Sequence, residues 1–164
     1  MLGLVMVTAH SATDPWPRPD SPSGHVNEMT FTVDLLPDVR RFAAAHGRGF
    51  GLDDDATVDL MIAINELATN AVRHGSPLAW LRMWSADDRM CAEIHDSGNW
   101  TPLAAPGHVP PAADAEGKMG IWITRQICSA VDITTGDDGT TVRLEMPRRS
   151  SSDATLGRSR DQVC

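Results

Sequence analysis

The 164-residue sequence contains no Tyr, only three Phe, and only one Lys (position 118) among its 14 basic residues. Its 22 acidic side chains leave a formal net charge of −8. A surface of that sign repels phosphate backbones, so we expect no direct binding of nucleic acid through a general basic field.

Long hydrophobic runs are also missing. No stretch approaches the ~18 apolar residues of a membrane helix, and the apolar opening segment 1–7 lacks the basic residues of a signal peptide. The three Cys form no CxxC pair, so neither a disulfide framework nor a zinc site is predicted. We therefore expect a cytoplasmic protein that does not bind a membrane.

Composition divides the chain into three parts. Four Pro fall within residues 10–27, and the sequence becomes rich in Ser and Arg from residue 148. We predict a flexible leader over residues 1–28, one folded domain over residues 29–147 and a disordered tail over residues 148–164.

The periodicity of that central domain predicts alternating strands and helices. The longest predicted helix begins at the acidic N-cap sequence Asp53-Asp54-Asp55 and ends near Gly75. The predicted strands span 29–33, 78–85, 90–95, 131–135 and 140–146, and the predicted helices span 37–46, 53–74 and 118–130. Such an order favours an α/β two-layer sandwich with a mixed, mostly antiparallel sheet and helices on one face. The long aperiodic segment 97–116 is typical of a functional or disordered loop.

Conventional nucleotide fingerprints are absent, since the sequence has neither GxGxxG nor the Walker GxxxxGK[ST]. The long helix does carry a polar stripe, because Glu66, Asn70 and His74 follow each other at four-residue spacing. An amide oxygen suits a hard cation, and a carboxylate one turn away can accept a proton. Taken alone, the same spacing is more typical of an ordinary surface helix.

Two glycine-containing segments follow. Asp96-Ser97-Gly98 ends a predicted strand, where a Gly lets backbone approach a flat ligand and a carboxylate can accept from its amine. Gly117-Lys118-Met119-Gly120 precedes a predicted helix, and a helix start with a Lys suits phosphate. Each segment is also compatible with a plain turn.

In this order and spacing the three segments resemble the ATP-binding domains of the gyrase B, heat-shock chaperone, histidine kinase and MutL superfamily. The helix with Glu66 and Asn70 is similar to its N-box, and the other two segments are similar to its first and second glycine boxes. The branch that it resembles most is the RsbW-like anti-sigma-factor serine kinases. The resemblance implies the Bergerat-type ATP-binding fold, with ATP and Mg²⁺ as cofactors.

The resemblance also implies individual roles. Glu66 would be the catalytic base and Asn70 the ligand of Mg²⁺. Asp96 would accept from the adenine amine, with Thr141 or its neighbour Thr140 beside it. The remaining predicted binding residues are Gly98, Gly117, Lys118 and Gly120. Two positions depart from the family pattern, because Trp100 replaces a third glycine in the first box and Lys118 replaces a common glycine in the second.

For the whole protein, the resemblance implies a kinase that phosphorylates a Ser or Thr of an anti-sigma-factor antagonist, a protein of the sulphate-transporter/anti-sigma-antagonist (STAS) type. It further implies that the protein sequesters a sigma factor and forms a homodimer. The alternative is a non-catalytic ATP-binding module that acts by partner binding only. A histidine autokinase is disfavoured, because no His followed by Glu or Asp precedes residue 53 on a predicted helix.

Overall fold

The computed structural model describes residues 25–98 and 119–148. Within these residues the helices and strands, in chain order, are β1 (Asn27–Phe31), α1 (Leu36–Phe50), α2 (Asp54–Asn70), β2 (Ala79–Ala86), β3 (Arg89–Asp96), α3 (Met119–Ile127), β4 (Ala130–Gly136) and β5 (Gly139–Pro147). A short 3₁₀ turn precedes α1, and one π-helical turn continues α2.

The five strands form one sheet in the order β1-β2-β3-β5-β4. The predicted α/β two-layer architecture is confirmed. All four strand pairings are antiparallel. In the described residues the sheet is therefore purely antiparallel, whereas the prediction was a mixed, mostly antiparallel sheet. Two of the connections are tight hairpins. The β2–β3 hairpin turns at Asp87, whose φ of 52° is the left-handed conformation that such short turns require.

The two faces of the sheet differ because side chains alternate along each strand. Ile94 on β3 pairs with Leu81 on β2 and Val142 on β5, and all three belong to the hydrophobic core against the helices. The neighbouring positions, such as His95 and Thr141, therefore point to the opposite face. We call this the back face of the sheet.

Helix α2 forms where the sequence predicts it, and it lies between α1 and α3. The carboxylate of Asp53 caps it by accepting from the Ala56 N–H at 2.7 Å, as expected for an N-cap residue. Its inner face carries buried residues at helical spacing: Ala56, Leu60, Ala63, Ile64, Leu67 and Ala68. On the α1 side, Arg40 donates to the side chain of Asn65 at 2.8 Å.

The end of α1 differs from the prediction. Gly47 does not end this helix but lies inside it, where a Cβ would be 3.0 Å from Leu60 Cδ2 of α2. The glycine thus permits the two helices to approach closely. The helix ends at Gly51 instead, which has a φ of 92° and forms a left-handed C-cap.

The end of α3 also differs from the prediction, since this helix stops at Ile127 and not at residue 130. Both the backbone N–H and the hydroxyl of Ser129 donate to the carbonyl oxygen of Glu145 on β5, at 2.9 and 2.8 Å. That pairing starts β4. Among the described helices, none has both the length and the hydropathy needed to cross a bilayer.

Two glycines of α1 provide a matched test of the helix end. Gly51→Ala should lower the free energy of unfolding by about 1–2 kcal/mol, because a Cβ is disfavoured at its positive φ. Gly49→Ala should raise it by about 0.5–1 kcal/mol, because this exposed helical glycine has no neighbouring atom within 4 Å of an added Cβ. Urea denaturation measures both changes, and a shift in the same direction for the two variants would contradict the assigned helix end.

Candidate functional site

The polar end of α2 meets the start of α3. Glu66 and Asn70 are both half-buried, and Gly120 in the first turn of α3 packs onto them. A Cβ on Gly120 would lie 2.7 Å from Glu66 Oε2 and 3.3 Å from Asn70 Nδ2. The structure therefore brings three of the predicted site residues together at one point.

A side chain of α3 donates a hydrogen bond to the backbone at the start of the same helix. The hydroxyl of Thr124, which is fully buried, donates to the carbonyl oxygen of Gly120 at 2.8 Å. This nine-residue helix directs the partial positive charge of its N-terminus toward the Glu66–Asn70 pair. A region of that polarity, with the amide of Asn70 beside it, suits an anionic ligand, and an amide oxygen can also ligate a cation.

Immediately after Asn70 the helix widens into a π turn, Ala71–Gly75, which ends with a hydrogen bond from the Ser76 N–H to the Ala71 carbonyl at 3.0 Å. Such turns are frequent at functional sites. The turn packs against the end of β3. A Cβ on Gly75 would overlap the carboxylate of Asp96, the last residue of that strand. His74, predicted on the same stripe as Glu66 and Asn70, is exposed.

Asp96, the last residue of β3, is only 6% exposed and lies on the helix side of the sheet. Its Oδ1 accepts from the Gly98 N–H at 2.9 Å. Burial raises the pKa of this carboxyl above its ordinary value, while the Gly98 N–H and the neighbouring His95 act in the opposite direction. The loop beyond Asp96 also needs a glycine, because a Cβ on Gly98 would overlap the backbone of Gly75.

The structure distinguishes the two threonines proposed to lie near Asp96. Thr140 pairs directly with Asp96 across β5 and β3, and its side chain is on the same face. Thr141 pairs with His95, so its hydroxyl lies on the back face, 3.0 Å from His95 Nδ1. Thr140, and not Thr141, therefore accompanies Asp96.

The hydroxyl of Thr140 is buried and has no hydrogen-bond partner among residues 25–98 and 119–148. A buried polar atom without a partner is uncommon and indicates that a water or a ligand completes the site. Next to it, Gly139 has a φ of 123°, and a Cβ there would overlap the carbonyl oxygen of Asp96. Gly75 and Gly98 thus meet the carboxylate of Asp96, Gly139 packs on its backbone, and Thr140 pairs with it across the two strands.

These residues fit a nucleotide with a divalent cation. The glycines around Asp96 let backbone segments pack directly against this residue, and Gly120 brings the start of α3 directly onto Glu66 and Asn70. In the described ranges, no cluster of three or more His, Cys, Asp or Glu could hold a metal ion by itself. A cation would therefore depend on Asn70 and on oxygens that the ligand supplies, as is usual for Mg²⁺ with phosphates.

Part of the predicted site lies outside the described residues. This applies to Gly117 and Lys118, to Trp100 and to most of the predicted loop 97–116.

Conversely, the sequence predictions did not assign Gly75 and Gly139 to the site. Both occupy ordinary helix-end and hairpin positions, and only their packing against Asp96 reveals a further role.

Comparison with known proteins agrees with this geometry. A family model for the histidine kinase-like ATPase domain matches residues 29–146. No curated protein matches the chain.

The solved structures that share its fold include the following two. The RsbU and RsbW domains of Rv1364c from Mycobacterium tuberculosis align over 73% of this chain and 32% of that one, with 22% identity and a TM-score of 0.54. A blue-light activated histidine kinase from Erythrobacter litoralis EL346 aligns over 73% of this chain and 43% of that one, with 19% identity and a TM-score of 0.51. The chain thus spans less than half the length of either protein.

The contact between Gly75 and Asp96 can be tested by a double-mutant cycle. Gly75→Ala should lower the free energy of unfolding by about 1–3 kcal/mol, because the added methyl group has no room beside the carboxylate. The loss should shrink when Asp96 is replaced by Ala, since the carboxylate atoms are then absent.

Denaturation of the four proteins of the cycle measures this coupling. Gly136→Ala is the control, because Gly136 has nothing within 4 Å of an added Cβ. An equal loss for Gly75→Ala in both backgrounds would show that the two residues are not in contact.

Proposed function

Because this chain belongs to the histidine kinase-like ATPase domain family, we propose that it binds ATP with Mg²⁺ and transfers the γ-phosphoryl group to a Ser or Thr of a partner protein. The proposal rests on the contact of Glu66 and Asn70 with Gly120 of α3. It unites a carboxylate, an amide and a helix start, which are the groups that phosphoryl transfer uses.

At the base-binding end, Asp96 accepts a hydrogen bond from the exocyclic amine of adenine. Because the carboxylate is buried, a hydrogen bond that it accepts from a ligand is worth more than one made in water. Thr140, whose hydroxyl has no partner in the part of the chain that the structure describes, binds the ring directly or through a water. Gly98 packs against the backbone of Gly75, and Gly75 packs against the Asp96 carboxylate, so these contacts fix the position of the carboxylate.

At the phosphate-binding end, Asn70 holds Mg²⁺ through its amide oxygen, and the cation neutralises charge on the phosphates. The N–H groups at the start of α3 bind phosphate oxygens, with Gly120 allowing close approach. Gly117 and Lys118 directly precede this helix, and we assign them to the lid over the phosphates.

Glu66 acts as the general base. It takes the proton from the incoming hydroxyl, whose oxygen forms a bond to the γ-phosphorus while the bond to the bridging oxygen of ADP breaks. Its position one helical turn before Asn70 places the proton acceptor next to the group that holds the cation.

The proposed partner is an anti-sigma-factor antagonist of the STAS type, and the proposed output is sequestration of a sigma factor by a cytoplasmic homodimer. The support for this part is the motif resemblance, together with the shared fold of a structure that contains RsbU and RsbW domains. A non-catalytic module that binds ATP and acts through partner binding alone is the second candidate. The packing of Gly120 against the carboxylate of Glu66 favours it, because a carboxylate in that contact also supports the helix pair.

Transfer of label from γ-labelled ATP to STAS proteins of the same genome separates the two candidates. We expect label on a Ser or Thr hydroxyl with the wild type. Glu66→Gln should lower transfer by about 10²–10⁴-fold, because it removes the proton acceptor, while ATP affinity stays within about twofold.

Glu145→Gln, at the other end of β5, is the matched control and should transfer at the wild-type rate. Tight binding of a STAS protein without any label would favour the non-catalytic module, and equal transfer by wild type and Glu66→Gln would refute the role of Glu66.

Nucleotide affinity should depend on pH through Asp96. Burial raises the pKa of this carboxyl, and its ionised form accepts from the adenine amine more strongly than the neutral acid does. As the pH falls through the raised pKa, the ionised fraction decreases and ATP affinity should fall with it.

Calorimetric titrations over a pH series in which circular dichroism shows a folded protein measure this dependence. Asp96→Asn should bind weakly, with little change over the same range. An affinity that stays constant or rises at acidic pH would contradict the assigned contact.

A further inference from the structure

His95 is a polar residue buried on the back face of the sheet, with 8% of its surface exposed. Its ring lies between the side chains of its two neighbours in the sheet, Trp80 on β2 at a centroid distance of 5.7 Å and Thr141 on β5. Nδ1 is 3.0 Å from the Thr141 hydroxyl, and the backbone of Asp138 lies close to the imidazole. Burial lowers the pKa of His95, which favours the neutral ring whose free nitrogen accepts from a hydroxyl.

The bond between His95 and Thr141 links β5, just after the β4–β5 turn, to the end of β3. Asp137 and Asp138 form this turn, between Gly136 and Gly139. On its other side, Gly139 packs so closely on the backbone of Asp96 that no Cβ would fit. The turn is therefore held between the imidazole and the strand end.

The residues held in this way are those that line the proposed base site. Thr140 follows Gly139 and pairs with Asp96, while Thr141 pairs with His95. A shift of the turn would move the Thr140 hydroxyl relative to the carboxylate of Asp96. Guanine has a carbonyl oxygen where adenine has its amine, so discrimination between them requires these two groups to be fixed.

We propose that His95 is a positioning residue for the nucleotide site. Through Thr141 and the β4–β5 turn it holds Thr140 in place against Asp96 and so increases the preference for adenine over guanine. The inference rests on the proposed function, since it concerns the same site.

A purely structural role makes a different prediction. Removal of a buried hydrogen bond lowers stability in either case, but with a structural role alone the folded protein would keep its nucleotide affinity and its base preference. The readouts are therefore the affinities for ATP and GTP, each with Mg²⁺, measured by calorimetry at a temperature where circular dichroism shows every variant folded.

His95→Leu and Thr141→Val should each weaken ATP binding by about three- to tenfold, the equivalent of one hydrogen bond, and should change GTP binding less. The double variant should be no weaker than His95→Leu alone, because the bond that Thr141→Val removes is already absent in that variant. His95→Asn, which keeps a hydrogen-bonding group near the Nδ1 position, should recover most of the affinity. Thr134→Val is the matched control, since Thr134 is exposed on β4 opposite Thr141.

Unchanged ATP affinity and an unchanged ATP-to-GTP ratio in folded Thr141→Val and His95→Leu would overturn the positioning role while leaving the proposed function intact. A wild-type protein that binds neither nucleotide would refute the proposed function itself. Additive losses in the double variant would show that His95 and Thr141 act separately, which also contradicts the inference.

Discussion

The contact on which the rest of the structure depends is the one between Gly75 and the carboxylate of Asp96. It joins the π turn after α2 to the end of β3. It thereby fixes the distance between the Glu66–Asn70 pair and Asp96. Glu66 and Asn70 lie on one side of this junction, and Asp96 with Thr140 lies on the other. Under the proposed function, a ligand that spans the junction would meet the carboxylate of Glu66 and the amide of Asn70 at one end and the carboxylate of Asp96 at the other.

The two faces of the sheet carry different parts of the proposed nucleotide site. Asp96 and Thr140 face the helices, while the adjacent His95 and Thr141 face the other way, because successive side chains of a strand alternate. Each residue that would touch a base therefore has a neighbour on the back face. On that face, the bond between His95 and Thr141 links the same two strands without occupying the site.

Much of the fold and part of the site follow from the sequence. The capped, periodic segment from Asp53 predicts α2, and the four-residue spacing of Glu66 and Asn70 places them on one side of it. Gly47 misled the prediction, because a glycine that ends a helix and one that lets two helices approach look the same in a sequence. The distinction depends on Leu60 of another helix.

The same limit applies at the site. Gly75 and Gly139 have local explanations as helix-end and hairpin residues, and their packing against Asp96 arises only when α2 and β5 are brought to β3. Likewise, the choice between Thr140 and Thr141 depends on the register of two strands, and a shift of one residue would reverse it. Local patterns therefore predict the elements and their polar residues, while the pairing of elements decides which residues share the site.

The central claim is that α2 and β3 together bind ATP and Mg²⁺ between Asn70 and Asp96. Calorimetric titration of the protein with ATP, once with Mg²⁺ and once with a chelator, tests it most directly. The account predicts saturable binding of ATP with Mg²⁺ and much weaker binding without the cation. The absence of binding of any adenine nucleotide in the presence of Mg²⁺ would contradict it.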